Sequence, residues 1–109
     1  MDERKRRIAA NEAVFRSVNE QISEVTSGFG TFADMLVVCE CGTPTCTEQF
    51  VIHPADYAGV REDATLFVIQ PGHDFPETET VIERRPGYWI IKKDEGLPAD
   101  IARATDPTA

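Results

Sequence analysis

Cysteine is absent from most of this chain: all three cysteines lie within eight residues, and the other 101 positions contain none. Such clustering excludes a network of disulfide bonds across the fold, and an odd number leaves one thiol without a partner. Histidine is almost as scarce, with two residues. The sequence also lacks a glycine-rich phosphate loop, a nucleotide-binding fingerprint and a Ser-His-Asp set, so it carries no common signature of nucleotide-dependent or hydrolytic enzymes.

Long apolar runs are absent as well. The chain begins with charged residues, and no apolar stretch follows that would suit a signal peptide or a membrane span. We therefore expect a cytoplasmic protein with no membrane partner. With 109 residues, 41% of them hydrophobic and 28% charged, the chain is expected to form one globular domain.

Basic residues are scarce outside the N-terminus. Residues 1–16 carry five basic and three acidic side chains, whereas residues 17–109 carry six basic and sixteen acidic ones. The net charge is −8. An acidic body repels phosphate backbones, and the basic cluster from Arg4 to Arg7 is short. Nucleic acid is therefore not expected as a partner.

Proline and glycine do not occur between Asp2 and Ser27, and apolar residues recur there at helical spacing. Together with Asn11 they alternate by three and four residues, in the order Ile8, Asn11, Phe15, Val18, Ile22, Val25 and Phe29. A helix of about 25 residues would be about 37 Å long. Gly28 and Gly30 would end it.

A helix of this length either lies across the domain's own sheet or projects from a small domain. If its N-terminal half projects, the side formed by Ile8, Asn11 and Phe15 is exposed, and an exposed apolar patch commonly marks an interaction site. The sequence then predicts that the helix binds another protein or a second copy of the chain.

Short apolar runs bounded by turn residues predict five β-strands, at residues 35–38, 49–52, 65–69, 80–84 and 88–92. The first two strands would form a hairpin with the cysteines at its tip, and a Pro-Gly turn would join the last two. A short helix is expected to begin at Pro54, and the tail to contain at most one helical turn. The expected class is α+β: a long N-terminal helix, a mostly antiparallel five-stranded sheet of two hairpins and one short helix.

We expect one domain over residues 1–109, with the helix at 1–29, a metal-stapled α+β body at 34–92 and a tail at 93–109. The buried core should consist mainly of twelve apolar residues: Phe15, Val18, Ile22, Leu36, Val38, Phe50, Ile52, Phe67, Val68, Ile82, Trp89 and Ile91.

The cysteines follow the first strand as Cys39-x-Cys41-x4-Cys46 and surround a Gly-Thr-Pro turn. This arrangement presents three thiolates to one small volume, which suits a tetrahedral site for a soft metal. The chain has no fourth cysteine, so a histidine would complete the set. The sequence therefore predicts one structural zinc ion in a Cys3His site. Free buried thiols, or iron in place of zinc, would use the same residues.

His53 and His73 are the two candidates for the fourth ligand. His53 lies seven residues after Cys46, along a predicted strand that could carry it about 20 Å away, and it occupies the N-cap position of the short helix. His73 follows Gly72 in a loop, where glycine permits the bend that aims an imidazole at a metal. The spacing favours His73 and leaves His53 as the alternative.

Three classes of function are compatible with such a site. Three thiolates reduce the Lewis acidity of zinc, which favours a closed structural site in a non-enzymatic protein-interaction or regulatory module. A thiol-based redox or metal sensor would release the metal on oxidation of the cysteines. A small zinc-dependent enzyme would need an open coordination position, with Glu40 or Glu48 as the general base.

Four motifs are spread over most of the chain. They are Asn11-Glu12-x-x-Phe15-Arg16-x-Val18-Asn19-Glu20, the cysteine run, Pro71-Gly72-His73, and Glu83-Arg84 ahead of Tyr88. Together they resemble a family of small uncharacterised proteins of high-GC Gram-positive bacteria, the actinobacteria. The resemblance implies a shared design without an established activity. In the family pattern the Pro-Gly-His motif is shared and position 53 is commonly a Ser or Thr helix cap, which implies His73 as the ligand.

Overall fold

The computed structural model describes residues 2–28 and 33–107. Its elements, in chain order, are α1 Asp2–Gly28, β1 Met35–Val38, β2 Gln49–Ile52, α2 Pro54–Val60, β3 Leu66–Ile69, β4 Glu79–Arg85, β5 Tyr88–Lys93 and α3 Leu97–Ala104. The predicted α+β class is confirmed, and each predicted strand begins and ends within one residue of the observed bounds.

The five strands are divided between two antiparallel sheets rather than joined in one. β1 pairs with β2, and β5 lies between β3 and β4. The rings of Phe50 and Tyr88 stack across the two sheets, with centroids 5.4 Å apart. After β1 the chain continues beside β3, because the backbone N–H of Glu40 donates to the carbonyl of Val68 at 2.9 Å. This contact brings the cysteine turn to the end of β3.

Helix α1 runs along the whole body. Its 27 residues span about 40 Å at 1.5 Å per residue, and the longest dimension of the molecule is 43 Å. The N-terminal half is docked: Ile8 is 4% exposed, and the side chain of Asn11 donates to the carbonyl of Gly42 at 3.0 Å. Of the two alternatives, the helix that lies along the body is the one observed, and the predicted projection of this half is wrong. Among the described residues, no helix is long and apolar enough to cross a membrane.

The buried face of α1 is largely polar, which the apolar periodicity did not predict. Glu12, Arg16 and Asn19 are fully buried, whereas Val18 and Val25 of the predicted stripe are 40% and 61% exposed. Arg16 and Asn19 hydrogen-bond to backbone groups of the body, which an apolar residue cannot do, and Glu12 lies against the buried ammonium of Lys93. Phe29, the last residue of the predicted stripe, lies outside the described residues.

Asn19 illustrates how α1 docks. Its Nδ2 donates to the carbonyl of Val38 at 2.8 Å, and its Oδ1 accepts from the N–H of Val38 at 2.9 Å. The carboxamide thus pairs with β1 as a neighbouring strand would, on the side away from β2. The edge of the two-stranded sheet is covered by this contact.

The predicted core is confirmed in part. Among the twelve residues, those that are buried are Phe50, Ile52, Phe67, Val68 and Ile91, and Ile22 and Trp89 are partly buried against them. Leu36 and Ile82 are 52% and 50% exposed. In β1 the alternation places Met35 and Val37 inward instead of Leu36. In β4 the register shifts between Val81 and Glu83, so Ile82 lies in a bulge without a partner in β5.

The tail forms a longer helix than expected. α3 covers eight residues, Leu97–Ala104, and buries Ala99 and Ala102. It packs beside α1, where Arg16 donates to the carbonyl of Ala102 at 2.8 Å. The contact with α1 explains why the tail is ordered as a helix.

Candidate metal centre

The end of β1 and the turn after it position the three cysteines. The backbone N–H of Cys39 donates to the carbonyl of Glu48 at 2.9 Å, which continues the pairing of β1 with the chain before β2. The N–H of Cys46 donates to the carbonyl of Thr43 at 3.1 Å and closes the turn. The turn folds the chain back on itself, so that Cys46 returns to the two cysteines that precede it.

His73 comes from a second loop, directly after β3. Its backbone N–H donates to the carbonyl of Gln70 at 3.0 Å, and Gly72 between them has a φ of 86°. This left-handed conformation is strained for residues with a Cβ, and glycine adopts it freely. The tight turn aims the imidazole back at the end of β1, as the position of Gly72 in the sequence predicts.

The four side chains meet in one cluster. One ligand atom from each of Cys39, Cys41, Cys46 and His73 lies within 4.8 Å of all the others. The Nδ1 atom of His73 is 3.7 Å from the Sγ of Cys39 and 3.6 Å from the Sγ of Cys46. A tetrahedral zinc ion with Zn–S near 2.3 Å and Zn–N near 2.0–2.1 Å would place S and N about 3.6 Å apart. The observed separations therefore match the edges of such a site.

Backbone amides support the sulfur atoms. The N–H of Gln70 donates to the Sγ of Cys39 at 3.1 Å. A hydrogen bond from the Cys39 thiol lowers the pKa of Cys41 to about 4, and the backbone of Thr43 also favours this thiolate. The same contact between the two cysteines raises the pKa of Cys39. Hydrogen bonds to sulfur of this kind orient thiolate ligands in metal sites.

The cluster lies partly inside the protein. Cys39 and Cys41 are buried at 1% and 0% exposure, whereas Cys46 and His73 are partly exposed. Burial raises the pKa of Cys46, against a hydrogen bond from the backbone of Glu48. A metal ion could therefore enter from the side of Cys46 and His73 and be shielded from solvent by the other two ligands.

The alternative ligand, His53, lies outside the cluster. It is the N-cap residue of α2, and its Nδ1 accepts a hydrogen bond from the backbone N–H of Ala55 at 3.1 Å. This role satisfies one of the free amide groups at the start of the helix, as a Ser or Thr cap would.

Glu40 and Glu48, the two residues considered as a catalytic base, lie in different environments. Glu40 is fully buried, and it accepts hydrogen bonds from the Tyr57 hydroxyl at 2.7 Å, from the Asn19 side chain at 2.8 Å and from the Val68 N–H at 3.1 Å. Burial raises the pKa of Glu40, and these donors oppose the shift. Glu48 is exposed. Glu40 therefore joins α1, α2 and β3 behind the cysteines, away from solvent.

Sequence reasoning missed the polar residues of α1 that hold this region. Arg16 donates to the carbonyl of Ala64 at 2.7 Å, and its guanidinium lies 4.6 Å from the ring centroid of Phe67. Glu20 pairs with Arg61 at 3.0 Å. A signal was present in the segment from Asn11 to Glu20, because its polar residues recur at spacings of three and four residues.

Comparisons with known proteins find no matching family model, no matching curated protein and no matching solved structure. The resemblance to the actinobacterial family therefore stays a prediction.

Proposed function

We propose that the protein binds one zinc ion through Cys39, Cys41, Cys46 and His73, and that the ion is structural. The observation that carries the proposal is the convergence of all four ligand atoms within 4.8 Å. The donor set of three thiolates and one imidazole is typical of structural zinc. The hydrogen bonds to sulfur and the partial burial support the same assignment.

The position of the ligands indicates what the ion would do. Three ligands lie in the turn between β1 and β2, and the fourth follows β3, so the metal would tie the two sheets together. Four protein ligands complete a tetrahedral shell and leave no position for a reacting water. We therefore infer a non-enzymatic protein rather than a small zinc-dependent enzyme.

The protein's role is then that of a cytoplasmic protein-interaction or regulatory module. Exposed valines on α1 support a contact with another protein or a second copy: Val14, Val18 and Val25 are 61%, 40% and 61% exposed. This surface differs from the N-terminal part of the helix, which Ile8 and Asn11 use inside the molecule. Light scattering of the wild type and of Val18→Asp and Val25→Asp variants tests self-association. If the protein is monomeric in all samples, a second copy of the chain is not the partner.

Elemental analysis of purified protein tests the zinc site. We expect about one equivalent of zinc per chain in the wild type and in His53→Ala, and a loss of most of it in His73→Ala. The two histidine variants form a matched pair, because each removes one imidazole from a loop next to a strand. Less than about a tenth of an equivalent of any metal in the wild type contradicts the proposal. Iron in place of zinc would colour the protein.

The partial exposure of Cys46 supports the second candidate, a thiol-based sensor. In that case two cysteines and one hydrogen peroxide would give a disulfide and two water molecules, and the metal would leave. Zinc content measured after peroxide and again after dithiothreitol decides between the candidates. Retained zinc favours the structural module, and reversible loss favours the sensor.

A further inference from the structure

A cleft of about 340 Å³ lies between the first turns of α1 and the cysteine loop. Helix α1 contributes Arg4, Arg7 and Asn11, the loop contributes residues 42–44, and Phe75 also lines the space. This volume is in the range of clefts that bind small molecules. The cleft is separate from the cluster of cysteines, although one wall is the turn that carries them.

The charge of the cleft is opposite to that of the chain. The protein has a net charge of −8, yet among the described residues two guanidinium groups and no acidic side chain line the cleft. Arg7 has no hydrogen-bond or ion-pair partner within residues 2–28 and 33–107. A free guanidinium facing a cleft is suited to bind a carboxylate or a phosphate, because its donors match the oxygens of these groups.

Arg4 already shows this type of recognition. Its Nε and Nη2 donate to the two carboxylate oxygens of Glu77 at 2.8 and 2.9 Å, and its guanidinium lies 5.8 Å from the ring centroid of Phe75. Glu77 therefore holds one of the two cations of the cleft by a bidentate contact. An external anion would use Arg7 and compete with Glu77 for Arg4.

The remaining walls are apolar or neutral. Ile8, Pro44 and Phe75 line the cleft together with the side chain of Asn11, and Asn11 is engaged with the carbonyl of Gly42. A ligand with an apolar body could pack against Pro44 and Phe75 while its charged group contacts Arg7.

We propose that this cleft binds a small organic anion, which carries a phosphate or a carboxylate on an apolar body. The anionic group contacts Arg7, and the body lies against the wall formed by residues 42–44 and Phe75. The inference rests in part on the proposed zinc site, because the metal would fix the loop that forms this wall. It assigns a ligand class to the regulatory module proposed above.

Phenyl phosphate is a suitable probe, with benzoate as the carboxylate analogue and phenol as the neutral comparator. We expect saturable shifts of the Gly42 and Thr43 amide signals when phenyl phosphate is titrated into the full-length, metal-loaded protein, with a Kd of about 1 mM or lower. Phenol should cause no saturable shift. Stronger binding of benzoate than of phenyl phosphate would assign the cleft to carboxylates within the proposed class.

Arg7→Ala should weaken phenyl phosphate binding about tenfold or more, because it removes charge-assisted hydrogen bonds. Arg6→Ala is the matched control, since Arg6 carries the same charge on the same helix, is exposed and does not line the cleft. We expect less than about a twofold effect there. Equal weakening in both variants overturns the proposal, because it would show attraction by the basic cluster as a whole.

Glu77→Gln should tighten binding several-fold, since it releases Arg4 for the probe. Weaker or unchanged binding in Glu77→Gln, or no saturable shift in the wild type, overturns the proposal. The zinc content of the same samples separates this result from the metal proposal. Probe binding that depends on Arg7 in a metal-free protein supports the cleft and contradicts the zinc site.

Discussion

Lys93 is a buried charge that lies between two buried carboxylates. Its Nζ is 2.7 Å from the Oε1 of Glu12 and 2.8 Å from the Oε1 of Glu79, and it donates to the Thr78 hydroxyl at 2.9 Å. One ammonium cannot neutralise two carboxylates. Burial and the neighbouring Glu79 raise the pKa of Glu12 well above its usual value, against the effect of Lys93. Glu12 therefore holds a proton more tightly in the folded protein than in the unfolded chain.

Glu12→Gln should make the stability of the protein less dependent on pH. A carboxyl group whose pKa is higher in the folded state than in the unfolded state stabilises the folded protein at low pH. This stability is fully present below the unfolded-state pKa and is lost as the pH rises through the folded-state pKa. The pKa of a glutamate in the unfolded chain is about 4.3, so the wild type loses stability above that pH. The Gln variant mimics the protonated form and does not lose this stability. Urea midpoints from about pH 5 to pH 8 measure the difference. Glu24→Gln is the control, because Glu24 is exposed on the same helix.

Phe67→Ala tests the core at the residue scale. Phe67 is 1% exposed in β3, and removal of a buried aromatic ring costs about 3–5 kcal/mol of unfolding free energy. Leu36→Ala should cost much less, because Leu36 is 52% exposed. Equal urea midpoints for Phe67→Ala and the wild type would contradict the position of β3 in the core.

At the scale of elements, the packing of α1 on the cysteine loop depends on the absence of a side chain at Gly42. A Cβ built at this position would lie 2.5 Å from the Cγ2 and 3.2 Å from the Cα of Ile8. The helix and the loop therefore approach each other more closely than any other residue at position 42 would permit. Asn11 fixes the same approach through the carbonyl of Gly42.

Gly42→Ala should destabilise the protein by about 1–3 kcal/mol, since the added methyl group forces α1 and the loop apart. Gly59→Ala in α2 is the matched control: its Cβ would meet nothing within 4 Å. We expect that variant to be neutral or slightly stabilising, because alanine favours helix more than glycine does. Urea unfolding measures both. A Gly42→Ala protein as stable as Gly59→Ala would show that the close contact is dispensable.

At the scale of the whole molecule, the candidate metal centre brings together ligands from the turn before β2 and from the loop after β3. The two sheets share one hydrophobic core, and the stack of Phe50 on Tyr88 and the hydrogen bonds between Glu40 and Val68 join them. A metal bound by the turn before β2 and by the loop after β3 would add a link between the sheets.

Removal of the metal should therefore lower the stability of the entire domain. A ligand present at 1,000 times its Kd stabilises the folded state by about 4 kcal/mol, so a strong chelator should shift the thermal midpoint strongly downward. His53→Ala should respond to the chelator as the wild type does, whereas His73→Ala should begin at the lower midpoint and respond little. A wild-type midpoint that the chelator leaves unchanged would show that the fold does not need the metal.

Local sequence determined the strand bounds and the cysteine turn, and it favoured His73 over His53 as the fourth ligand. These features depend on near neighbours: alternation within each strand, turn residues between strands, and the glycine that precedes His73. The position of His53 at the start of α2 likewise follows from Pro54, its next residue. Physical rules that act over a few residues are sufficient for these assignments.

The tertiary structure decided the division into two sheets and the polar buried face of α1. Periodicity counts apolar side chains, and it cannot show which distant backbone groups need a hydrogen-bond partner. Asn19 hydrogen-bonds to Val38, which is 19 positions further along the chain, and Arg16 hydrogen-bonds to Ala102, which is 86 positions further along. Polar residues are buried at these sites because the folded chain supplies partners that satisfy them. The same long-range packing brought the imidazole of His73 to the three sulfur atoms.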